Sequence, residues 1–209
     1  MRHTGIVNLS RSKFANTVFK NNVVIILAIC FVVGIIVGVL AIGNSEALLN
    51  IAKSDFDSYL TSRRNSSFGN IFFSSFLTVL PYALLIFLCG TSIVGIALTP
   101  LSVMYRGFCY GLTAAYLYNT MSLQGIAFNS LILIPTTLIA VFGYLTCGRE
   151  AFNFSINLAK ISMPNGQAVS IYNDFRLYCK RSLIYFIFYI ASALLDAIMC
   201  GSFIKFFNF

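Results

Sequence analysis

The sequence predicts an all-α, polytopic membrane helix bundle of five spans with its N-terminus in the cytoplasm. Three observations predict it. Hydrophobic residues make up 58% of the 209 positions and charged residues only 10%, with a mean hydropathy of +0.85. Soluble domains are about 25% charged, and a water-soluble fold of this size could not cover so much apolar surface. Second, five runs at residues 23–42, 71–89, 102–118, 127–147 and 183–204 carry at most one charge each. At about 1.5 Å per residue, such runs reach across a hydrocarbon core of about 30 Å. Third, the basic residues are sorted. On this path Arg2, Arg11, Lys13, Lys20, Arg106, Arg149, Lys160, Arg176, Lys180 and Arg181 fall inside, against Lys53, Arg63, Arg64 and Lys205 outside. That asymmetry orients the chain with its N-terminus inward. The net charge of +8 follows from the same bias. No basic stripe forms, so nucleic acid is not an expected partner.

Residues 1–22 read as a basic cytoplasmic tail without an acid, and residues 23–209 as a single transmembrane domain. The apolar run 23–42 is longer than the roughly 7–15 residues of a signal-peptide core, and no A-x-A site follows it, so an uncleaved first span is expected. Gly34 and Gly38 stand four apart in it. That spacing admits a closely packed partner helix, although glycine is also ordinary in membrane helices. The outer loop, residues 44–68, is polar. Within it Leu48, Leu49, Ala52, Phe56, Tyr59 and Leu60 recur at helical spacing, behind a capping Asn44 or Ser45 and Glu46 in the first turn. An amphipathic helix on the outer membrane face or on the bundle is expected there, with a structureless loop as the alternative.

The second span carries Pro81 near its middle. Residues 90–100, with Gly90, Gly95 and Pro100, read either as a re-entrant half-helix or as a tight inner turn leading into a long third span. A full crossing there would make six spans. Arg106 is the one charge in the third span, expected about one turn from its cytoplasmic end. It either snorkels to the interface or marks a polar pocket. Gly107 and Gly111 follow it at the same four-residue spacing as the first pair. Residues 119–125 make a short outer turn, and Pro135 interrupts the fourth span. Pro81, Pro100 and Pro135 are therefore candidate helix breaks. Residues 149–182 form the inner basic loop, with a turn signal at Met163, Pro164, Asn165 and Gly166. The second and fourth spans overlay faintly, proline on proline, but run in the same direction and so do not suit an inverted transporter repeat.

The catalytic inventory is thin. His3 is the one histidine and lies in the tail, and the six cysteines make no CxxC pair. No cofactor, metal site or enzymatic activity is expected. Asp196 is the one intramembrane acid. Three readings compete: an assembly contact to Ser, Thr or Tyr hydroxyls, a pair with Arg106 that their different depths disfavour, or a proton or ion relay.

Several stretches together resemble the stage II sporulation protein M family. They are FVVGIIVGVLAIGNS at 31–45, the Gly90, Gly95 and Pro100 segment, YRGFCYGLTAAYLY at 105–118, QGIAFNSLILIPTTLIAV at 124–141 and ASALLDAI at 191–198. One departure stands out. Thr136 and Thr137 follow Pro135 where many relatives have a histidine or other polar residue and then an acid, so a relay inferred for those relatives does not carry over. The resemblance implies a bacterial cell-membrane scaffold of the engulfment machinery rather than a reaction. Such a scaffold would hold single-span peptidoglycan hydrolases, of the lytic transglycosylase and amidase type, during septal wall remodelling in sporulation. Gly34, Gly38, Gly107 and Gly111 are the expected partner grooves, and residues 44–68 the expected site for extracytoplasmic domains. Membrane lipid is a further partner, and a homo-oligomer is compatible with the pattern. The alternative is a small permease or exporter subunit using residues 90–100, Arg106 and Asp196 as a polar path.

Overall fold

The computed structural model describes the backbone of residues 4–43, 45–64, 66–162 and 171–203, with side chains from Asn22 onward. Every regular element among the described residues is helical. In order they are α1 (Thr4–Ile42), α2 (Glu46–Arg64), α3 (Phe68–Gly90), α4 (Gly95–Phe128), a short π segment (Asn129–Leu133), α5 (Ile134–Ile161) and α6 (Ile171–Phe203). Four stretches are long and apolar enough to cross a membrane: Asn22–Ile42, Phe68–Gly90, Gly95–Ile161 and Ile171–Phe203.

The third stretch is 67 residues long, about 100 Å if it were straight. It is not straight. Ser122 takes φ 50° and ψ −126°, a non-helical conformation inside α4. Beyond it the chain doubles back, so that a Cβ on Gly125 would collide with the carbonyl of Leu117. Only glycine fits this return. Farther from the bend, Tyr110 reaches Asn129 across the two limbs.

Residues 90–100 adopt the tight turn of the two expected forms. Thr91 and Ser92 donate to the carbonyls of Leu88 and Cys89 at 3.1 and 3.2 Å, and Gly95 donates to Ser92 at 3.0 Å, where α4 begins. The third apolar helix thus starts at Gly95 rather than near residue 102. Its hydroxyl-bearing Thr99 and Ser102 do not delay it, because Thr99 is buried against the bundle and Ser102 bonds the Leu98 carbonyl. Most of the expected inner loop is also helical, since α5 runs on to Ile161 and α6 starts at Ile171. The turn signal at 163–166 lies outside the described residues, as does Lys205.

The prolines divide. α3 and α4 run through Pro81 and Pro100 with no non-helical residue beside them, so neither breaks its helix. Each removes one backbone bond, and packing holds the remainder. Pro135 does perturb its helix. The π segment ends at Leu133, two residues before it, widening the backbone where the proline ring would meet the preceding turn.

Two cores stack along the bundle. One gathers Val23, Leu27, Ile86, Val103, Tyr144, Ala151 and Tyr178 near the ends of α3 and α5. The other gathers Ile42, Phe56, Ile71, Leu117, Phe128 and Cys200 beneath α2. Outside them, Ile25, Ile29, Val32, Ile36, Leu40, Leu84, Leu88, Ile184 and Ile187 are exposed. A belt of this kind on otherwise buried helices is what lipid contact requires.

Candidate functional site

α2 is held against the bundle by its own sequence. Ala52, Phe56, Tyr59 and Arg63 fall on one helical face, and Ala52, Phe56 and Arg63 are buried. Phe56 seats edge-on against Phe128, with ring centroids 5.5 Å apart. Two turns farther, Arg63 enters the bundle with 4% of its surface exposed.

There it meets Asp196 of α6, itself 5% exposed. Arg63 Nε donates to Asp196 Oδ2 at 3.0 Å, and Nη2 lies 3.0 Å from the same oxygen. Tyr59 OH donates to Oδ1 at 2.8 Å, and the Ser75 hydroxyl of α3 contacts Oδ2. Arg63 also reaches Ser75 Oγ at 2.9 Å and the Tyr59 carbonyl at 3.3 Å, with its guanidinium carbon 3.6 Å over the Tyr59 ring. The carboxylate and the guanidinium thus satisfy each other inside a low-dielectric core. Burial, and then the nearby Asp196 carboxylate, hold the Tyr59 phenol well above its ordinary pKa, so it remains a neutral donor.

The assembly reading of Asp196 accounts for the Tyr59 and Ser75 contacts, but its ionic partner is Arg63. The sequence did carry a signal for Arg63. It lies seven residues after Phe56 and eleven after Ala52, on the apolar stripe rather than on the polar face.

Arg106 does not pair with Asp196. It lies eleven residues into α4, about 16 Å along the helix. That is three turns from the start of the helix, not one turn from an end as the sequence suggested. The early start of α4 accounts for the difference. Its guanidinium carbon sits 4.6 Å over the Tyr82 ring of α3, a favourable but modest contact. Its Nε is buried and has no hydrogen-bond partner among the described residues.

Arg106 and Asp196 nevertheless line one cavity of about 540 Å³. α2 covers it with Asp55, Ser58, Tyr59 and Arg63, and α3 contributes Ser74, Ser75, Thr78 and Tyr82. α4 contributes Tyr105, Cys109, Tyr110 and Thr113, while Thr136, Thr137, Ser192 and Ala193 come from α5 and α6. Beside it Asn129, buried in the π segment, accepts from Tyr110 OH at 3.1 Å and donates to Tyr118 OH at 2.6 Å.

The four glycines expected to receive a partner helix face one another. A Cβ on Gly34 or Gly38 would collide with the carbonyls of Met104 or Phe108 in α4. One on Gly107 or Gly111 would collide with the carbonyls of Phe31 or Ile35 in α1. Both pairings advance together along the two helices, so α1 and α4 run parallel through a four-glycine contact. This chain fills those grooves itself, which corrects their reading as free partner sites. The sequence offered two grooves of matching spacing, and only the fold could show that they match each other.

A second ionic cluster, unforeseen from the sequence, lies in the second half of α5. Glu150, 5% exposed, accepts from Arg149 at 2.9 Å and from Arg181 of α6 at 2.8 Å. All six cysteines are free thiols. Among the described residues no group of His, Cys, Asp or Glu has a metal-binding arrangement.

Comparison with known proteins finds no match among curated proteins or solved structures. A family model described as stage II sporulation protein M matches residues 27–204. That span takes in α2, the glycine contact, Arg106 and the Arg63–Asp196 pair, and the chain belongs to the stage II sporulation protein M family.

Proposed function

We propose that this protein is a non-catalytic, multi-pass scaffold of the bacterial cell membrane that anchors peptidoglycan hydrolases for septal wall remodelling during engulfment. The N-terminus lies in the cytoplasm and the chain crosses five times, with the limbs on either side of Ser122 counted separately. Arg106, three turns into α4, no longer belongs to the inner basic tally. The remaining inner residues still outnumber the outer ones, so the orientation argument holds. On this path α2 lies on the outer side.

The observation that carries the reading is the fixing of α2. An amphipathic helix on a membrane surface is ordinarily free to slide or detach. Here a buried ion pair and an aromatic seat fasten it to three other helices. Its opposite face leaves Glu46, Lys53 and Asp57 exposed. A rigid polar platform at the outer surface suits the docking of extracytoplasmic domains. Partner transmembrane helices would pack on the exposed apolar belt, because the glycine grooves are occupied within the chain.

Affinity capture from membranes in mild detergent, followed by mass spectrometry, tests this. A lytic transglycosylase or an amidase should be recovered, and a Lys53→Glu, Asp57→Lys double variant should lose it while remaining in the membrane at normal amount. Capture that yields no wall hydrolase counts against the scaffold. The cavity beneath α2 favours a second reading, a small permease or exporter subunit. Solute flux into vesicles containing only the purified chain would support that reading and displace the first.

A further inference from the structure

Charge accounting isolates one residue. Asp196 pairs with Arg63, and Glu150 pairs with both Arg149 and Arg181. Among the described residues no carboxylate lies within ion-pair distance of Arg106, although it sits three turns into α4. A guanidinium has five N–H donors and no acceptor. The phenols of Tyr82 and Tyr144 face the guanidinium and carry no charge to balance it, and the buried Nε has no acceptor among the described residues. An uncompensated cation at this depth is costly unless something returns its charge.

The surroundings indicate what could. The guanidinium borders a cavity of about 540 Å³ that extends from Asp55 on α2 to Ala140 on α5. That volume lies within the range for small-molecule sites, about 300–1,000 Å³. At that volume it holds little more than one turn of a helix about 10 Å across, so it is too small for a further spanning helix. Tyr82 and Tyr105, with ring centroids 6.3 Å apart, bring two phenols to the cavity wall near Arg106. Thr78, Thr113 and Thr137 line it too, but their hydroxyls donate to backbone carbonyls. Arg106 is the cation on this wall without a carboxylate partner, and the phenols offer further donors. The planar fork of arginine suits a phosphate oxygen pair. Asp55 at the covering helix repels a second negative charge and favours one phosphate over a polyanion.

We propose that this cavity binds a single phosphate group of net negative charge, not one already paired with a choline ammonium in its own headgroup, with Arg106 as its cation. A phospholipid headgroup or phosphate in solution could supply that chemistry, and this assignment is independent of the scaffold role. The full chain is placed in phosphatidylcholine nanodiscs with and without phosphatidylglycerol, and retained lipid is read by native mass spectrometry. Inorganic phosphate is tested separately, in phosphatidylcholine alone, by the shift in unfolding temperature. For a lipid source, retained phosphatidylglycerol should exceed phosphatidylcholine about tenfold. Arg106→Gln should abolish that preference, and Lys180→Gln, at an exposed position away from the cavity, should keep it. For a solution source, inorganic phosphate should raise the unfolding temperature of the parent and of Lys180→Gln but not of Arg106→Gln. If Arg106→Gln does not fold, Thr78→Trp serves instead, filling the cavity while leaving Arg106 in place. It should remove the same binding. Binding unchanged in both variants, or absent with both probes, overturns the assignment.

Discussion

Arg63 and Asp196 stand 133 positions apart in the sequence and meet at 3.0 Å inside the bundle, joining α2 to α6. The first prediction concerns this pair. Arg63→Met or Asp196→Leu alone leaves one buried charge without its partner and should destabilise the protein by about 3–5 kcal/mol. The double variant should recover much of that loss, because neither charge then remains. Denaturant unfolding in detergent measures the coupling. Limited proteolysis adds a local readout, with α2 cut first in either single variant. Additive losses would mean that the two residues act separately.

The glycine contact predicts a different failure from that of a docking surface. Gly111→Leu forces a side chain into the Ile35 carbonyl and should drive α1 from α4. Overpacking costs about 1–3 kcal/mol where the neighbours can yield, and here the neighbour is backbone. Less folded protein should be recovered by size-exclusion chromatography, even from cells lacking every partner. Normal recovery of a monodisperse protein would contradict the intramolecular contact.

Ser122 carries a positive φ of 50°. Ser122→Gly relieves that conformation and should stabilise the α4–α5 return by up to about 1 kcal/mol, the remaining gain being offset by greater freedom in the unfolded chain. Ser122→Val should destabilise it by more than the glycine gains. Thermal unfolding of the three proteins gives the order directly, and a valine variant as stable as the parent would rule out the bend.

Tyr59 supplies a pH dependence. Its folded pKa is raised above the unfolded value of about 10. Its contribution to stability is therefore fully present below about pH 10 and is lost as the pH rises through the folded value. Difference absorbance between the parent and Tyr59→Phe should show no tyrosinate from this residue near pH 10 while the protein remains folded. A normal titration there would show that Tyr59 is not the buried donor to Asp196.

Much of the architecture was legible because lipid imposes simple rules on a chain. Apolar runs had to become helices, since no water satisfies their backbone. The periodic apolar residues at 52, 56 and 59 announced α2 in the same way. Less was legible at segment ends. The third span was expected from about residue 102, yet α4 starts at Gly95, where Thr99 is buried against neighbours and Ser102 bonds its own helix. Polarity in a sequence does not reveal whether a side chain finds its partner within the protein.

By itself the sequence determined that this is a helical protein with apolar spans, a pair of four-spaced glycines in each of two helices, one acid and one arginine within the spans, and an amphipathic helix between the first two. Those features follow from local composition and period. Only the tertiary structure decided which groups meet. It set the two glycine pairs against each other, gave Asp196 to Arg63, and left Arg106 facing a cavity. The physical reason is that an ion pair or a close backbone contact depends on the depth and rotation of whole helices, which packing fixes across residues far apart in the chain.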